Sequence, residues 1–381
     1  MTNAGMTNAG IHGMNKALGI LVVLLGVGVA TALLSPAFLG TVNLENLAQR
    51  IGLFGILGVA VAFVIVTGGI DLSIGSIVCL TGCGLPWLLV RHEWSPPAAL
   101  ALLLGLSALL GLGHGLLITK LRLPPFVVTL CGLLIYRGMM RGITDSQSQG
   151  FGGGFEGLRW LATGKLPTTP VFVALLLAGL GLLALAGWRL AGRRRGRGGA
   201  AVFAAGLLAL AAGVRAKGFE LPMPCLILVV AAALAALFFH RTVWGRHLLA
   251  LGNNEEAARF SGIATDRLVI LSYVVCALLS GLAGMLFVME VGSAQPSDFG
   301  NFYELYAIAA AVIGGCSLRG GEVSVLGVVL GAALMQVLRN TIVLAFPRQQ
   351  QVELAIIGVV ILLGVVTDVA IRRWSERRRP A

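Results

Sequence analysis

The chain has 381 residues, of which 57% are hydrophobic and only 12% charged, and its mean hydropathy is +0.92. This composition excludes an ordinary soluble protein and predicts an all-α, polytopic integral membrane protein, because roughly 20 apolar helical residues cross a bilayer core of about 30 Å. The net charge of +12 indicates basic cytoplasmic loops rather than a nucleic-acid partner, since no nucleic-acid-binding pattern interrupts the apolar runs.

Apolar runs of helix length follow one another through most of the chain. Residues 1–16 open with a duplicated MTNAG and are polar, so a disordered N-terminus is expected there. Residues 17–371 would form a single transmembrane domain and residues 372–381 a basic tail. About 12 spans, or 10 if the shortest runs do not cross, are expected at 17–34, 51–67, 76–90, 96–119, 126–144, 170–188, 200–214, 225–239, 268–289, a run leading into Gly314, 324–345 and 352–371.

An even number of spans places both termini on one side of the membrane. The loops and ends that share this side in the prediction hold most of the 28 lysines and arginines. Because basic loops are retained in the cytoplasm, both termini and the loop at 240–267 are predicted to be cytoplasmic.

Two glycine-rich interruptions share one pattern. TGGIDLSIGS at 67–76 and GGCSLRGG at 314–321 both contain G-G-x-x-L-x-x-G, and each lies between two apolar runs. We interpret them as an internal repeat that divides the domain into two pseudo-repeated halves. Broken helices in corresponding places predict a translocation pathway, with close helix packing through glycine as the alternative. The residues assigned to this pathway or its gate are Thr67, Gly68, Gly69, Asp71, Ser73, Gly75, Gly314, Gly315, Ser317, Gly320 and Gly321.

Asp71 is the most informative single residue in these motifs. A carboxylate near membrane depth is costly unless it is paired or hydrated, which suggests that it lines the pathway or holds the broken segment. The alternative is that it caps the next helix by accepting backbone N–H groups beyond Leu72. The two roles are compatible.

The loop at 240–267 contains a short helix with clear boundaries. Asn253 is expected to cap it, Glu256 lies three residues later as in a capping box, and Gly262 would end it in a left-handed conformation. So short a helix is unstable alone, so it must dock on something. Ala257, Ala258 and Phe260 would give it an apolar patch for the groove of a partner protein. The alternative is that it lies against its own membrane domain.

Catalytic and cofactor motifs are missing from the sequence. It contains no G-x-x-x-x-G-K-[ST] phosphate loop and no H-E-x-x-H zinc motif, and no histidine falls in a recognisable catalytic pattern. The six cysteines lie in or beside apolar runs and form no metal or disulfide framework. The chain is therefore expected to have no cofactor of its own and no enzymatic activity.

Three motifs together resemble one known family. TGGIDLSIGS, the pattern G-x-N-x-x-A-A-x-x-x-G at 252–262 and AVIGGCSLRGGE at 311–322 resemble the signature regions of the sugar-importer permeases of bacterial ABC systems, the ribose, xylose and galactose branch. The resemblance implies an inner-membrane permease with a fold like that of the vitamin-B12 importers (type II). It further implies a homodimer, a cytoplasmic ATPase that carries ATP and Mg, and a periplasmic sugar-binding protein. The docking helix would then be the segment that couples to the ATPase, through Gly252, Asn254, Glu255, Glu256, Ala257, Ala258, Ser261 and Gly262.

The substrate and the energy source leave alternatives open. The extra apolar pair at 170–214 resembles the layout of the longer xylose-type members, which favours a pentose such as xylose over ribose, galactose or another sugar. An ion-coupled secondary sugar transporter is the main rival, and it would need carboxylates or histidines within the spans. Few such groups besides Asp71 are evident in the sequence. A membrane-embedded enzyme is disfavoured by the missing catalytic motifs.

Overall fold

A computed structural model describes residues 3–167 and 218–345, together with the helical residues 355, 356, 358, 359 and 362. The predicted helix pair at 170–214 and the basic tail at 372–381 lie outside the described residues. Only those five isolated positions represent the predicted last span.

The described residues are mostly α-helical, as predicted. The helices are α1 (Asn3–Leu34), α2 (Thr41–Ile65), α3 (Ile74–Pro86), α4 (Pro96–Lys120), α5 (Pro125–Ile143), α6 (Glu156–Thr163), α7 (Met223–Arg241), α8 (Val243–Asn253), α9 (Glu255–Phe260), α10 (Thr265–Val291), α11 (Tyr303–Ile313) and α12 (Val325–Ala345). A 3-10 turn at Pro36–Leu39 precedes α2, and a π-helical turn at Trp87–Arg91 extends α3. The short strands are β1 (Gln149–Gly150), β2 (Lys165–Leu166), β3 (Leu221–Pro222) and β4 (Ser293–Ala294).

Seven helices among the described residues are long and apolar enough to cross a membrane. They are α2, α3 with its π-helical turn, α4, α5, α7, α10 and α12, and the structure is therefore that of a multi-pass membrane protein. The part of α1 from Gly19 to Leu34 and the whole of α11 are apolar but shorter. The expected total of about 12 spans stays a prediction.

The helices form layers around a buried centre. In the most apolar windows of α2 and α3, 78% and 83% of the residues are buried, compared with 28% in α4, 28% in α5 and 22% in α7. Helices α2 and α3 therefore lie at the centre, and α4, α5 and α7 expose apolar surface. Phe54 of α2 contacts the rings of Phe287, Tyr303 and Tyr306 there, with centroids 4.9–5.5 Å apart.

The bundle has two distinct ends. The end of α2, the end of α8 and the turn after α11 meet at one of them, which we call the motif end. At the other end, β1 pairs with β4 just beyond α10, and Arg50 of α2 pairs with Glu290 near the end of α10. We call this the opposite end. The two glycine motifs thus lie on the same side of the bundle.

Helix α2 begins at Thr41, earlier than the predicted start at residue 51. The prediction is wrong because the polar residues of this stretch find partners far along the chain. Asn43 exchanges amide hydrogen bonds with Asn340, and Glu45 pairs with Lys165 and accepts from the backbone N–H of Glu220. The polar segment before residue 51 is therefore part of the helix, and its side chains Asn43 and Glu45 have hydrogen-bond or ion-pair partners.

The N-terminal helix also starts earlier than expected. Helix α1 begins at Asn3, within residues 1–16, which the sequence predicts to be disordered. Extending an existing helix by a residue fixes far fewer dihedral angles than nucleating one, so a membrane-length helix can continue into a polar flank.

The predicted tenth span is helical over only part of its length. Helix α11 has 11 residues, which at 1.5 Å per residue reaches about 16 Å and does not cross a bilayer core. The chain enters from the opposite end as irregular backbone, packs Gly300 against the first turn of α3 at Gly75, and only then becomes helical. This crossing is therefore half loop and half helix.

Candidate functional site

Three distant segments meet through their backbones at the motif end. The N–H of Gly321 donates to the carbonyl oxygen of Val66 at 2.9 Å. A Cβ at Gly252 would overlap with that same oxygen, and one at Gly320 would stand 2.7 Å from the Gly252 oxygen and 3.0 Å from the Gly68 nitrogen. We call Val66, Gly68, Gly252, Gly320 and Gly321 the glycine junction. It joins both glycine motifs to the end of α8.

The two glycine motifs end their helices in the same way. At the end of α2 the N–H of Gly68 donates to Ile65 and that of Gly69 to Val64, and at the end of α11 the N–H of Gly315 donates to Val312 and that of Cys316 to Ala311. This is the Schellman pattern, and its left-handed residues are Gly68 (φ +80°) and Gly315 (φ +90°).

The structural equivalence of the motifs is shifted by one residue from the sequence alignment. The repeated G-G-x-x-L-x-x-G pairs Gly68 with Gly314, whereas the Schellman pattern pairs Gly68 with Gly315. The chain also differs beyond the caps, since Gly75 lies inside α3 and Gly321 (φ +76°) lies in a turn. The internal repeat is therefore a repeat of helix termination and not of the whole motif.

Two of the motif glycines serve close packing. A Cβ at Gly75 would overlap with the Glu304 carboxylate and the Gly300 carbonyl, and one at Gly314 would lie 2.6 Å from the backbone of Gly327. Both positions fit the packing alternative stated above.

Asp71 is fully buried and holds the entrance of α3. Its Oδ1 accepts from the backbone N–H of Ser73 at 2.8 Å and from the Ser73 hydroxyl at 2.6 Å. The contact lies beyond Leu72, as one of the two predicted roles requires, but it is a turn in front of α3 and not the helix cap, because the N-cap residue is Ser73 and has no side-chain cap. The Oδ2 of Asp71 has no hydrogen-bond partner among the described residues. The carboxylate is thus only half satisfied.

Further polar side chains surround Asp71 in the core. His114 of α4 and Tyr136 of α5 share a hydrogen bond of 2.7 Å, and these two residues and Tyr273 of α10 lie within electrostatic range of the carboxylate. The Nδ1 of His114 and the hydroxyl of Tyr273 are also buried without a partner in the described part of the chain. The sequence analysis missed these residues, although polar groups within apolar runs are the signal that identifies them.

The predicted docking helix is α9, and its cap differs by one residue from the prediction. The Asn254 side chain accepts from the Ala257 N–H at 2.9 Å, so Asn254 and not Asn253 is the N-cap. Asn253 ends α8, and its amide donates instead to Leu249 and to the Gly321 carbonyl. Gly262 ends the helix at φ +80°, as predicted.

Helix α9 presents most of its surface outward. Glu255, Glu256 and Ala257 are exposed, and Phe260 is 86% exposed, whereas Ala258 is buried against the bundle. The apolar patch predicted from Ala257, Ala258 and Phe260 therefore loses Ala258, because a helix packed on its own chain must turn one face inward. Ser261 closes the last turn by donating to the Ala257 carbonyl.

A chain of charges links α9 to the end of α4. Asp266 accepts from Lys120 at 2.9 Å and lies 3.5 Å from Arg259, which also pairs with Glu255 at 3.1 Å. We call Lys120, Asp266, Arg259 and Glu255 the charge clamp. Each such exposed pair contributes little stability, roughly 0.2–1 kcal/mol, and the three pairs together connect α9 to the end of α4.

A cavity of about 800 Å³ lies between α9 and the first glycine motif. Thr67, Gly68 and Gly69 form one wall, and Glu255, Glu256, Arg259 and Phe260 form another. Tyr273 lies at its inner side, where a Cβ on Gly69 would come within 2.7 Å of the tyrosine hydroxyl. The cavity therefore connects α9 with the broken segment in front of Asp71.

The structure thus divides the predicted site residues into groups. Thr67, Gly68 and Gly69 line the cavity, Asp71, Ser73 and Gly75 hold the start of α3, and Gly314 and Gly315 end α11. Ser317 forms the turn that leads to Gly320 and Gly321 in the junction, with its hydroxyl accepting from the Arg319 N–H. Gly252 lies in the junction, and the other predicted coupling residues form α9 and its ends. Within the described ranges, no group of three or more His, Cys, Asp or Glu residues could hold a metal ion.

Known proteins resemble this chain over most of its length. Residues 43–365 match the family described as branched-chain amino acid transport system / permease component. The chain is 34% identical to the xylose transport system permease protein of Escherichia coli (strain K12) over 352 residues, covering 89% of this chain and 88% of that protein. It is 31% identical to the ribose import permease protein of Bacillus subtilis (strain 168) over 356 residues, covering 93% and 94%. No solved structure matches the chain.

The glycine junction predicts a sharp difference between two Gly→Ala variants. Gly252→Ala should destabilise the detergent-solubilised chain by about 1–3 kcal/mol, because its Cβ would overlap with backbone that cannot move away alone. Gly105→Ala is the matched control, since no atom lies within 4 Å of the new Cβ and alanine favours the helix. The thermal unfolding midpoint measures both. Equal midpoints for Gly252→Ala and the parent chain would contradict the junction.

The half-satisfied carboxylate predicts an order of stability among Asp71 variants. Asp71→Asn keeps an oxygen for the Ser73 N–H and hydroxyl, whereas Asp71→Ala removes it, and both remove the buried charge. We expect the Asn variant to be more stable than the Ala variant by about 1–2 kcal/mol, because the Ala variant leaves the buried N–H and hydroxyl of Ser73 without this acceptor. The same unfolding assay measures the difference, and equal stability of the two variants would rule out a role of Asp71 in holding the start of α3.

Proposed function

Since the chain belongs to this family of importer permease components, together with the xylose and ribose permeases, we propose that it is the membrane-spanning subunit of an ATP-driven, binding-protein-dependent importer of a monosaccharide. The observation that carries the proposal is the backbone contact of α8 with both glycine motifs. Through it, a partner that moves α9 also moves the ends of α2 and α11.

The proposed assembly follows the family. Two copies of the chain would form the pathway, a cytoplasmic ATPase with ATP and Mg would dock on α9, and a periplasmic sugar-binding protein would deliver the sugar at the opposite end. The chain would lie in the inner membrane with both termini cytoplasmic, and its fold would be that of the vitamin-B12 importers. The chain itself would be a transport subunit and not an enzyme, since hydrolysis belongs to the ATPase.

Pentoses are the favoured substrates. A xylose transport system permease protein is 34% identical to this chain, and the extra apolar sequence at 170–214 resembles the xylose-type layout. Ribose and galactose are the alternatives. The family description names branched-chain amino acids, so leucine belongs in the substrate test as well.

The proposed mechanism is alternating access. ATP-driven closure of the ATPase pair would displace α9, and the rigid junction would carry that displacement to the broken segment at Thr67–Ser73. Because Gly252 touches the Val66 carbonyl without an intervening side chain, little of the motion would be lost in side-chain rearrangement.

One observation favours the ion-coupled rival enough to test it. The core buries Asp71, His114 and Glu304, which are the titratable groups that ion coupling would need. Transport by the chain alone along a proton or sodium gradient would support this rival and overturn the ATP-driven proposal.

The function is tested by reconstitution in proteoliposomes. With a partner ATPase and a sugar-binding protein that co-purify with the chain, we expect uptake of radiolabelled xylose that requires ATP, with ribose, galactose and leucine as competing substrates. In the same system, replacing Glu256 and Ala257 together by arginine should reduce uptake and ATPase co-purification by roughly 30-fold or more, the effect of losing an interface hot spot.

The control for this double variant is Glu156→Arg, which changes an exposed first-turn glutamate at the opposite end. It should leave ATPase co-purification unchanged. Normal ATPase binding by the Glu256→Arg, Ala257→Arg variant would rule out α9 as the docking helix while leaving the family assignment intact.

The charge clamp predicts rescue by charge exchange. Asp266→Lys places like charges beside Lys120 and Arg259, so the sugar moved per ATP hydrolysed should fall by roughly two- to fivefold, consistent with about 1 kcal/mol of pairing. Adding Lys120→Asp should restore most of it. Stability alone would not produce this pattern, since exposed pairs scarcely affect unfolding. Failure of the double exchange to recover coupling would exclude the clamp as a positioning element.

A further inference from the structure

The outer face of α7 continues into the start of α8. Along α7, large apolar side chains are exposed at Val229 (60%), Leu234 (61%) and Leu237 (56%), as expected of a helix surface that faces lipid tails. The exposed residues His240 and Arg241 end this face. The helix therefore leaves the hydrocarbon at its last turn.

The chain then folds back tightly instead of extending away from the bundle. The Thr242 hydroxyl accepts from the Gly245 N–H at 3.0 Å and caps α8. Gly245 is buried, and a Cβ there would overlap with the carbonyl of Phe238. The first turn of α8 is thus held beside the last turn of α7, at the level where that helix leaves the membrane.

This first turn exposes apolar and basic side chains together. Val243 and Trp244 are each 51% exposed, and Arg246 and His247 are exposed next to them. Residues 240–254 contain no Asp or Glu. In the part of the chain that the structure describes, neither Arg241 nor Arg246 has a carboxylate partner.

From this arrangement we propose that Arg241, Trp244, Arg246 and the flanking Val243 form a binding surface for an anionic phospholipid in the leaflet at the motif end. The indole would lie at the boundary between the tails and the headgroups, and the two guanidinium groups would bind the phosphate of the same lipid. Arginine suits this task because its planar fork donates to two phosphate oxygens at once.

The position of the surface in the fold gives the lipid a role. Helix α8 ends at Asn253, whose amide donates to the Gly321 carbonyl in the turn of the glycine junction. A lipid bound at the start of α8 would hold one end of the helix that carries the junction at its other end. Anionic lipid would therefore support the position of the junction, whatever solute the chain moves.

A lipid titration tests the surface in the full-length chain. The chain, purified in an uncharged detergent, is titrated with dioleoylphosphatidylglycerol or dioleoylphosphatidylcholine, and bound lipid is counted by native mass spectrometry. We expect phosphatidylglycerol to bind more tightly than phosphatidylcholine. Arg241→Gln and Arg246→Gln should each weaken phosphatidylglycerol binding roughly fivefold, with phosphatidylcholine unaffected. Raising the salt should reduce the difference between the two lipids.

Arg91→Gln is the matched control, because Arg91 is an exposed arginine at the opposite end. It should bind both lipids like the parent chain. A second measurement covers variants that fold poorly: brominated phosphatidylcholine should quench the parent chain's tryptophan fluorescence more than that of Trp244→Phe.

Three results of these measurements would overturn the proposal, and a fourth comes from adding the ATPase. The three are equal binding of the two lipids by the parent chain, unchanged phosphatidylglycerol binding in both arginine variants, and equal quenching in Trp244→Phe and the parent. Displacement of bound phosphatidylglycerol by the partner ATPase would also overturn it, because the surface would then belong to a protein interface.

Discussion

The structure depends on backbone contact at the glycine junction. Gly321 donates to the Val66 carbonyl, and Gly252 touches that same oxygen because it has no side chain. Backbone atoms have no rotamers through which to avoid one another, so the ends of α2, α8 and the turn after α11 must move together. Helix α9, the predicted docking helix, follows α8 directly and is connected to α4 by the charge clamp. A force on α9 therefore reaches two helix ends and the α4–α5 turn.

The non-helical backbone within the bundle is held by nearby hydrogen bonds and packing contacts. Asp71 binds the Ser73 N–H and hydroxyl, and the Thr129 hydroxyl donates to the Ile70 carbonyl at 3.2 Å. The other break, at residues 295–302, packs against the start of α3 through Gly300. Both breaks thus converge on one helix start, where few side chains would need to rearrange for the backbone to move. This agrees with the general finding that non-helical backbone at membrane depth is surrounded by protein or a cavity.

The half-satisfied carboxylate distinguishes two ways of using the same fold. Asp71 has one occupied and one free oxygen, and the free oxygen faces a core that also buries His114 and Tyr273. In an ATP-driven permease this cluster would stabilise one arrangement of the broken segment. In an ion-coupled transporter it would take up the ion. The two uses differ in whether a second polypeptide must act on α9. Whether a partner binds at the exposed Phe260 therefore also decides how the buried Asp71 is used.

The sequence by itself determined the class of the protein, the existence of most described helices, the breaks at both glycine motifs and the short helix after α8. These features follow from local causes: the length of an apolar run, a proline at a first turn, and a glycine where the backbone must become left-handed. Only the tertiary structure decided that Val66, Gly252 and Gly321 touch, that Glu45 lies in a helix, that α11 is too short to span, and that Asn254 is the cap. Each of these depends on contacts between residues that are far apart in the sequence. Local hydrogen-bonding patterns and hydropathy do not specify those contacts.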